Sequence, residues 1–551
     1  MIAPFPRQHF PYAKSDISAF HVHHRFSLDK RINSDLKEGV SMTEAKTLLS
    51  RMMMKLPTIT GACCIAALLP FSIHAATTDL GEGMLSLAPS RVLLNADGSR
   101  DHWNGIGRIK SRGGSSCTAT LIDTRTPDST LDAPAYVVTS GHCISRQNGV
   151  IITDREVEGS IQFNFFTDST ARSYPLKRIN WSSMQGVDLA VVELQPTLKS
   201  LIDDGIQPLA LASEMPEQDR EILWVGAPLT KDTGHLRLAA CTHKASQEIM
   251  EQPWVWRHTV SNQCRDVDVG ASGSPLLIRD NSEIYAVLNL TNQPESEDAT
   301  EDFNNEIPGF PPMAPDSNYG SPFTALNRCF VSGTFSTDPA VCELFPTFSV
   351  NFDTLGRQPG QRARVQLDAE GNDVYPAWDL LFQMDTPFYR YKKVTSAMQC
   401  EDPVDYSQAY TSQAAAINEP VDGHIGINWL CIIGVSSADE QPGIGLMRNA
   451  LTLAMELQAA GLTPEPQVKI GKNRFGASSV SWSYEHRLID HYTVKMGPPD
   501  TTDCSEPEGF KTQFRDLTLR AKSLPLKICT YAHDINGQPS ALREDIVPAA
   551  Y

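Results

Sequence analysis

The stretch Tyr136-Val137-Val138-Thr139-Ser140-Gly141-His142-Cys143 is an apolar run that ends in a histidine followed at once by a cysteine. Aromatic and β-branched residues in such a run predict a β-strand, and Ser-Gly after them predicts its end. The imidazole of His142 is therefore expected at the end of a strand, where a side chain can be accessible to a substrate. A lone histidine in this position is more often structural than catalytic, so its role depends on what accompanies it.

Two other short motifs follow it along the chain. Gly186-Val187-Asp188-Leu189-Ala190-Val191-Val192 places Asp188 at the start of a second apolar strand, and Gly270-Ala271-Ser272-Gly273-Ser274-Pro275 places Ser272 between glycines in a tight loop. A serine hydroxyl is a weak nucleophile until a neighbouring base takes its proton, and a carboxylate can orient that base. Each motif is a weak signal alone, but together they predict a triad of His142, Asp188 and Ser272.

The sequence around these motifs predicts an all-β domain over residues 94–345. Short alternating apolar runs are separated by Gly, Pro, Asp and Ser, and long amphipathic helical patterns are absent there. Residues 292–318 are rich in Pro, Asp, Glu and Asn and predict one exposed loop. A change of composition after Cys342 and Pro346 predicts the end of the domain.

Residues 94–345 resemble the chymotrypsin-like (trypsin-like) serine peptidases, near the bacterial branch that includes the glutamyl endopeptidases. In that branch the loop that carries the nucleophile has the sequence Gly-x-Ser-Gly-Ser-Pro, which is also found here. The order of His, Asp and Ser along this chain is the same as in the family. The resemblance implies a two-barrel antiparallel fold and hydrolysis through an acyl-enzyme. It makes His142 the general base, Asp188 its orienting carboxylate and Ser272 the nucleophile, with the backbone N–H groups of Gly270 and Ser272 as the oxyanion hole. This mechanism requires no cofactor and no metal.

The chain also departs from the family pattern. Animal digestive members have Asp where this chain has Ala271, and no Arg-Ile-Val-Gly-Gly precedes Cys117, so activation by a newly cleaved N-terminus is not expected. Residues 77–100 could be a short propeptide or an N-terminal extension. Asp266 stands six residues before Ser272, where trypsin-like members hold a substrate Arg or Lys. A solvated acidic loop at residues 265–268 is the alternative, and glutamyl-specific members have a His where this chain has Leu288.

Ten cysteines follow the first 75 residues, an even number with no spacing typical of a zinc site. Sequential pairing in an oxidising compartment is the simplest interpretation. The resemblance adds that Cys117 can bridge to Cys143 beside His142. The expected pairs are Cys117 with Cys143, Cys241 with Cys264, Cys329 with Cys342, Cys400 with Cys431, and Cys504 with Cys529.

Residues 52–75 have the features of a secretory signal peptide. Lys55 precedes the apolar run 59–69, and small residues surround an expected cleavage after Ala75. Translation is expected to start among Met52 to Met54, which makes residues 1–51 an untranslated or disordered leader. The net charge of −18 argues against nucleic acid or an anionic membrane as a partner. We therefore expect an extracellular or periplasmic protein without a membrane span.

A weak internal repeat occupies the last two hundred residues. Trp378 is followed by a Tyr-x-x-Lys run and by Cys400 and Cys431, and Trp482 is followed in the same way by Cys504 and Cys529. These patterns predict two β-sandwich modules, at 347–450 and 460–551, which resemble fibronectin type III or Ig-like domains. Unrelated β modules that share common strand residues are the alternative. A surface, glycan or protein ligand is expected for them.

The sequence therefore predicts a secreted serine endopeptidase that acts on protein or peptide substrates. The alternative function is a catalytically inactive adhesion or binding protein that keeps the peptidase scaffold. Because the triad, the oxyanion donors and three of the five cysteine pairs all lie before Phe345, the sequence alone also predicts that the peptidase domain is self-sufficient.

Overall fold

The computed structural model describes residues 79–130, 132–229, 234–251, 253–293, 313–352, 361–472, 476–483, 486–513 and 515–549. The leader, the signal segment and most of the expected loop at 292–318 lie outside these residues. The described part is nearly all β, which confirms the predicted fold class. Its α-helices are short, namely α1 (Leu198–Asp203) and α2 (Ile444–Arg448).

The first eight strands build the first barrel and its surroundings. They are β1 (Arg91–Val92), β2 (Ile106–Ser111), β3 (Ser116–Ile122), β4 (Pro134–Thr139), β5 (Ile152–Glu156), β6 (Gly159–Phe163), β7 (Arg172–Ser183) and β8 (Leu189–Thr197). Strands β7, β6, β2, β3, β4 and β8 pair in this order, and β8 pairs back with β7, which closes a six-stranded antiparallel barrel. Side chains such as Ile109, Leu121 and Val137 fill its interior.

The next nine strands form an open half-barrel and a small ribbon. They are β9 (Glu221–Gly226), β10 (Arg237–Thr242), β11 (Lys244–Glu251), β12 (Trp254–Asn262), β13 (Pro275–Ile278), β14 (Ile284–Thr291), β15 (Asn318–Pro322), β16 (Phe330–Val331) and β17 (Thr334–Phe335). The sheet order is β1-β10-β9-β13-β14-β15-β12-β11, so the N-terminal strand β1 joins it at one edge. Val138 and Val191 of the barrel share one core with Leu223 and Leu277 of this sheet. The two sheets therefore pack face to face, as in a chymotrypsin-like fold.

Further β modules follow the peptidase region. The first contains β18 (Val350–Phe352), β19 (Arg362–Arg364), β20 (Gln366–Leu367), β21 (Asp373–Val374), β22 (Leu380–Met384), β23 (Phe388–Val394), β24 (Tyr410–Thr411), β25 (Ala415–Ile417), β26 (Gly426–Val435) and β27 (Leu451–Gln458). A three-stranded and a five-stranded sheet enclose its core around Trp378, Leu430 and Leu453. Strand β27 pairs with β26, so this sheet extends past the expected boundary at residue 450.

The last module has a smaller core of its own. Its strands are β28 (Val468–Lys472), β29 (Ser478–Trp482), β30 (His491–Gly497), β31 (Lys511–Gln513), β32 (Leu517–Thr518), β33 (Leu526–His533) and β34 (Arg543–Val547). A three-stranded and a four-stranded sheet pack around Trp482, Tyr492 and Ile528.

Five disulfides join the ten cysteines in sequential pairs: Cys117–Cys143, Cys241–Cys264, Cys329–Cys342, Cys400–Cys431 and Cys504–Cys529. The first ties β3 to the short 3-10 helix Gly141–Cys143 that follows β4. It therefore fixes the end of the strand that leads to His142.

Replacement of Cys117 and Cys143 by Ala should loosen this part of the barrel, because a cross-link of this kind stabilises a fold by about 2–4 kcal/mol. Segment-resolved hydrogen exchange should show faster exchange in β3 and β4. The matched control removes Cys504 and Cys529 and should accelerate exchange only within residues 486–549. Unchanged protection of β3 and β4 in the first variant would contradict the conclusion that the Cys117–Cys143 disulfide fixes the end of β4.

Candidate active site

His142 and Asp188 meet because their strands are antiparallel partners. Thr139 at the end of β4 pairs with Ala190 near the start of β8, so the residues just beyond these ends lie side by side. Asp188 Oδ2 lies 2.7 Å from His142 Nδ1, and Asp188 Oδ1 accepts the backbone N–H of His142 at 2.8 Å. The Asp188 side chain is completely buried. The carboxylate therefore holds both the ring and the backbone of His142, which leaves Nε2 as the ring nitrogen for proton transfer.

A second set of polar groups holds the backbone of Asp188. The Ser321 hydroxyl accepts its N–H at 3.0 Å. Asn289 Nδ2 donates to its carbonyl at 2.7 Å and to Ser140 Oγ at 2.8 Å. Our sequence analysis did not identify Asn289 or Ser321. The available signal was a buried amide inside the otherwise apolar strand Ile284–Thr291, because a polar group in such a strand needs partners.

Burial and charge act in opposite directions on His142. Burial of the ring disfavours the protonated form, but the Asp188 carboxylate outweighs this and raises the pKa of His142 above its ordinary value. Arg146 opposes protonation and Glu251 favours it, each more weakly. The imidazole is thus a stronger base than a free histidine.

The loop that carries Ser272 packs against the end of β4. The carbonyl of Ser272 accepts the N–H of Thr118 at 2.9 Å, and Gly273 donates to the carbonyl of Leu288 at 2.7 Å. A Cβ on Gly273 would lie 2.1 Å from Thr139 Oγ1, and its φ of +81° suits glycine. Only glycine allows this approach, which brings the Ser272 loop beside the segment that leads to His142.

The peptide groups of this loop are fixed through their carbonyls. The carbonyl of Val269 accepts the N–H of Leu229 at 2.7 Å, and the carbonyl of Ala271 accepts the N–H of Ser274 at 3.0 Å. In a trans peptide the N–H points opposite to the carbonyl, so these bonds orient the N–H groups of Gly270 and Ser272. Neither N–H donates to another group within the described residues. Both are available to a developing oxyanion.

Arg108 lies beside this loop and was not identified from the sequence. Its guanidinium is buried and donates to the carbonyls of Ala227, of Gly234 at 2.7 Å and of Gly270 at 3.4 Å. Burial lowers the pKa of Arg108 to about 10, so it stays cationic at neutral pH. A fixed positive charge next to the Gly270 peptide favours negative charge in its vicinity.

Asp266 has partners in the N-terminal segment. Its Oδ2 accepts the N–H of Ser90 at 2.8 Å and the hydroxyl of Ser90 at 2.9 Å. Arg237 Nε donates to the same hydroxyl at 2.7 Å, and Leu93 nearby in the chain is fully buried. These contacts favour a structural role for Asp266 over the expected role in holding a substrate Arg or Lys. They also make residues near Ser90 part of the packed fold.

A small cavity of about 70 Å³ opens beside His142. Its lining includes Arg146, Glu251, Trp254 and Asn289. The Trp254 indole N–H donates to the carbonyl of Arg146 at 3.2 Å and so ties the hairpin β11–β12 to the segment after His142. A substrate side chain entering this cavity would meet charges of both signs.

The described residues contain one cluster with the composition of a metal site, Cys117, His142 and Cys143. Both sulfurs belong to one disulfide and so cannot serve as thiolate ligands.

Comparisons with known proteins identify a peptidase family in part of the chain. Residues 117–287, less than half of the chain, match the family described as a trypsin-like peptidase domain. No curated protein matches the chain. Similar solved structures include a thermostable serine protease AL20 from an extremophilic microorganism, with 14% identity over 40% of this chain and 93% of that one, at a TM-score of 0.28. Deg5 has 15% identity over 44% and 95%, at 0.27, and human heparin binding protein has 11% over 43% and 91%, at 0.27.

The family match spans the three predicted site residues His142, Asp188 and Ser272. The match and the fold together support a trypsin-like serine peptidase domain in this chain, which implies protein or peptide substrates.

Proposed function

We propose that the chain is a serine endopeptidase that hydrolyses peptide bonds through an acyl-enzyme. The observation that carries this proposal is the pair of hydrogen bonds from His142 to the buried Asp188 carboxylate. This pair gives the imidazole one fixed orientation and raised basicity, which a base needs to activate a serine. The Ser272 loop beside it adds oriented N–H groups.

In the first half of the reaction, Ser272 Oγ attacks the carbonyl carbon of the scissile peptide while His142 Nε2 takes the hydroxyl proton. The carbonyl oxygen becomes an oxyanion that accepts the N–H groups of Gly270 and Ser272. As the C–N bond breaks, His142 returns the proton to the leaving amine. Asp188 accepts the hydrogen bond from Nδ1 and stabilises the imidazolium while His142 holds the proton.

In the second half, a water molecule attacks the ester on Ser272 and gives its proton to His142. Collapse of the second tetrahedral intermediate releases the carboxylic acid, and the proton passes from His142 back to Ser272 Oγ. Each half balances without an external acid, base or metal. Removal of one oxyanion donor typically costs about 100- to 1000-fold in rate.

Export and the accessory modules complete the proposal. The five disulfides are consistent with an extracellular or periplasmic location. No helix in the described ranges is long and apolar enough to cross a membrane. The proposal also includes a signal peptide at 52–75, membership of the glutamyl-endopeptidase-like branch, and fibronectin type III or Ig-like folds for the two C-terminal modules. A preference for cleavage after Arg or Lys through Asp266 has no support from its contacts.

The alternative is an inactive peptidase scaffold that serves adhesion or binding. The presence of His142, Asp188 and Ser272 together, with the buried Asp188 carboxylate paired to His142, favours the peptidase over this alternative. A fluorophosphonate discriminates between the two, because only a serine activated by a histidine reacts with it rapidly.

Ser272→Ala should abolish peptide hydrolysis, with a loss on the order of 10⁶-fold in kcat, and leave the fold intact because little packing changes. Hydrolysis of a fluorogenic peptide library and circular dichroism are the measurements. Ser336→Ala, a serine outside the site, is the matched control and should hydrolyse like the wild type. Retained hydrolysis in the Ser272 variant would remove the assignment of the nucleophile.

The rate should fall in acid as His142 becomes protonated, because only neutral imidazole can take the serine proton. Since Asp188 raises the pKa of His142, the acid limb of kcat/KM should have an apparent pKa above about 6.5, the ordinary value. Asp188→Asn should lower that apparent pKa and reduce kcat on the order of 10⁴-fold. A wild-type acid limb below the ordinary histidine value would contradict the assignment of the base.

A further inference from the structure

The loop that ends in Asp188 rests on the guanidinium of Arg257. The carbonyl of Gly186 accepts the backbone N–H of Arg257 at 2.8 Å. A Cβ on Gly186 would lie 2.3 Å from Arg257 Nη2, so this loop position is in direct contact with the charged group. Arg257 therefore contacts Gly186, which is two residues before Asp188 in the chain.

The partners of the Arg257 side chain all belong to the first C-terminal module. Nη2 donates to the carbonyl of Arg448 at 2.7 Å, and Nη1 donates to the carbonyl of Ala450 at 3.0 Å and the hydroxyl of Thr452 at 2.6 Å. Nε donates to Glu401 Oε1 at 2.9 Å. The side chain is completely buried. A buried guanidinium is very unfavourable without such partners, so this position of Arg257 depends on the module.

Glu401 is ionised at neutral pH. Its burial favours the neutral acid, but the hydrogen bond from His258 and the charge of Arg257 outweigh this and lower the pKa of Glu401 to about 2. The charge pair between the domains is therefore intact at neutral pH. Sequence reasoning missed Arg257, although a charged residue inside the apolar run of β12 was a visible signal for a buried pair.

A second hydrogen bond reaches the same loop. Gln185 is buried, and its Nε2 donates to the carbonyl of Asn449 at 2.7 Å. The Asn449 side chain in turn donates to the carbonyls of Leu344 at 2.8 Å and Pro346 at 2.9 Å, which lie where the peptidase region ends. Residues 448–452 of the module thus contact both Gln185, which is in the Asp188 loop, and Arg257, which contacts Gly186 of that loop.

The module also supports the hairpin β11–β12, whose tip lines the cavity beside His142. Glu248 Oε2 accepts from Ser396 Oγ at 3.1 Å and from the N–H of Met398 at 3.3 Å, at the start of the 3-10 helix Ala397–Glu401. Met250 and Val255 share a buried cluster with module residues, namely Ala397, Ile427 and Trp429. The hairpin and the Asp188 loop are therefore held from the same side.

We propose that the first C-terminal module is a working part of the active site, and that Arg257 and Gln185 are positioning residues through which its docking orients Asp188. This inference rests on the proposed peptidase function and deepens it. It replaces the sequence-based expectation that residues 94–345 are sufficient for catalysis. The module in this view is not a separate unit on a tether, because it supplies the groups that satisfy a buried cation beneath the catalytic loop.

The test uses the full chain with Gln185→Met, which keeps the side-chain length, and Arg257→Met, which keeps the aliphatic part of the side chain, and both remove the hydrogen bonds to the module. We expect kcat to fall about tenfold for the first and on the order of 100-fold for the second, because small displacements of a catalytic group cost rates of this size. KM should change less than kcat. Arg257→Lys should not restore the rate, since an ammonium cannot reproduce the planar set of donors.

Two readouts and one control variant separate positioning from loss of fold. Titration of the reactive serine with a fluorophosphonate, taken to completion, counts the folded sites. The acid limb of kcat/KM should move to lower pH in both variants, because His142 loses part of its interaction with Asp188. Asn351→Ala is the matched control: it removes another contact between the module and the peptidase region, the bond from Gln147 at 3.2 Å, and should retain the wild-type rate and pH profile.

The inference is overturned if kcat per titrated serine and the acid limb are both unchanged in the Gln185 and Arg257 variants, or if the rate falls only in proportion to the titrated fraction. Failure of the proposed function looks different. In that case the wild type itself hydrolyses no peptide, or Ser272→Ala hydrolyses as well as the wild type.

Discussion

The buried carboxylate of Asp188 is the group on which the rest of this structure depends. A carboxylate with no exposure to solvent is tolerated only where hydrogen bonds replace water, and here the ring and backbone of His142 supply two of them. That requirement fixes the end of β4 against the start of β8. The hydrogen bond between Asp188 and His142 also raises the pKa of the imidazole, so one interaction both joins the two strands and makes His142 a stronger base.

Successive layers surround this carboxylate. Asn289 and Ser321 hold its backbone, and Arg257 and Gln185 hold the loop before it. The outermost layer is the first C-terminal module, whose carbonyls satisfy the Arg257 guanidinium. In the proposed mechanism, the orientation of Asp188 therefore depends on contacts between two parts of the chain that the sequence suggests are separate.

The sequence predicted what depends on local patterns. Alternating apolar runs indicated an all-β chain, and sequential pairing, the simplest interpretation of an even number of cysteines, matches the five disulfides that the structure contains. The position of His142 and Asp188 at strand ends followed from the runs before and after them. What the sequence could not predict depends on which surfaces meet. Asp266 hydrogen-bonds to Ser90, 176 residues away in the chain, and Arg257 pairs with Glu401, 144 residues away. No local sequence pattern predicts either contact.

The most direct test of the account is to trap its covalent intermediate. The chain is mixed with an activated peptide ester, quenched in acid within the first turnovers, and digested for mapping by mass spectrometry. We predict an acyl group on Ser272, formed rapidly in the wild type and absent from His142→Ala. No acylated peptide, or an acyl group on a residue other than Ser272, would contradict the central claim that this site is a serine peptidase.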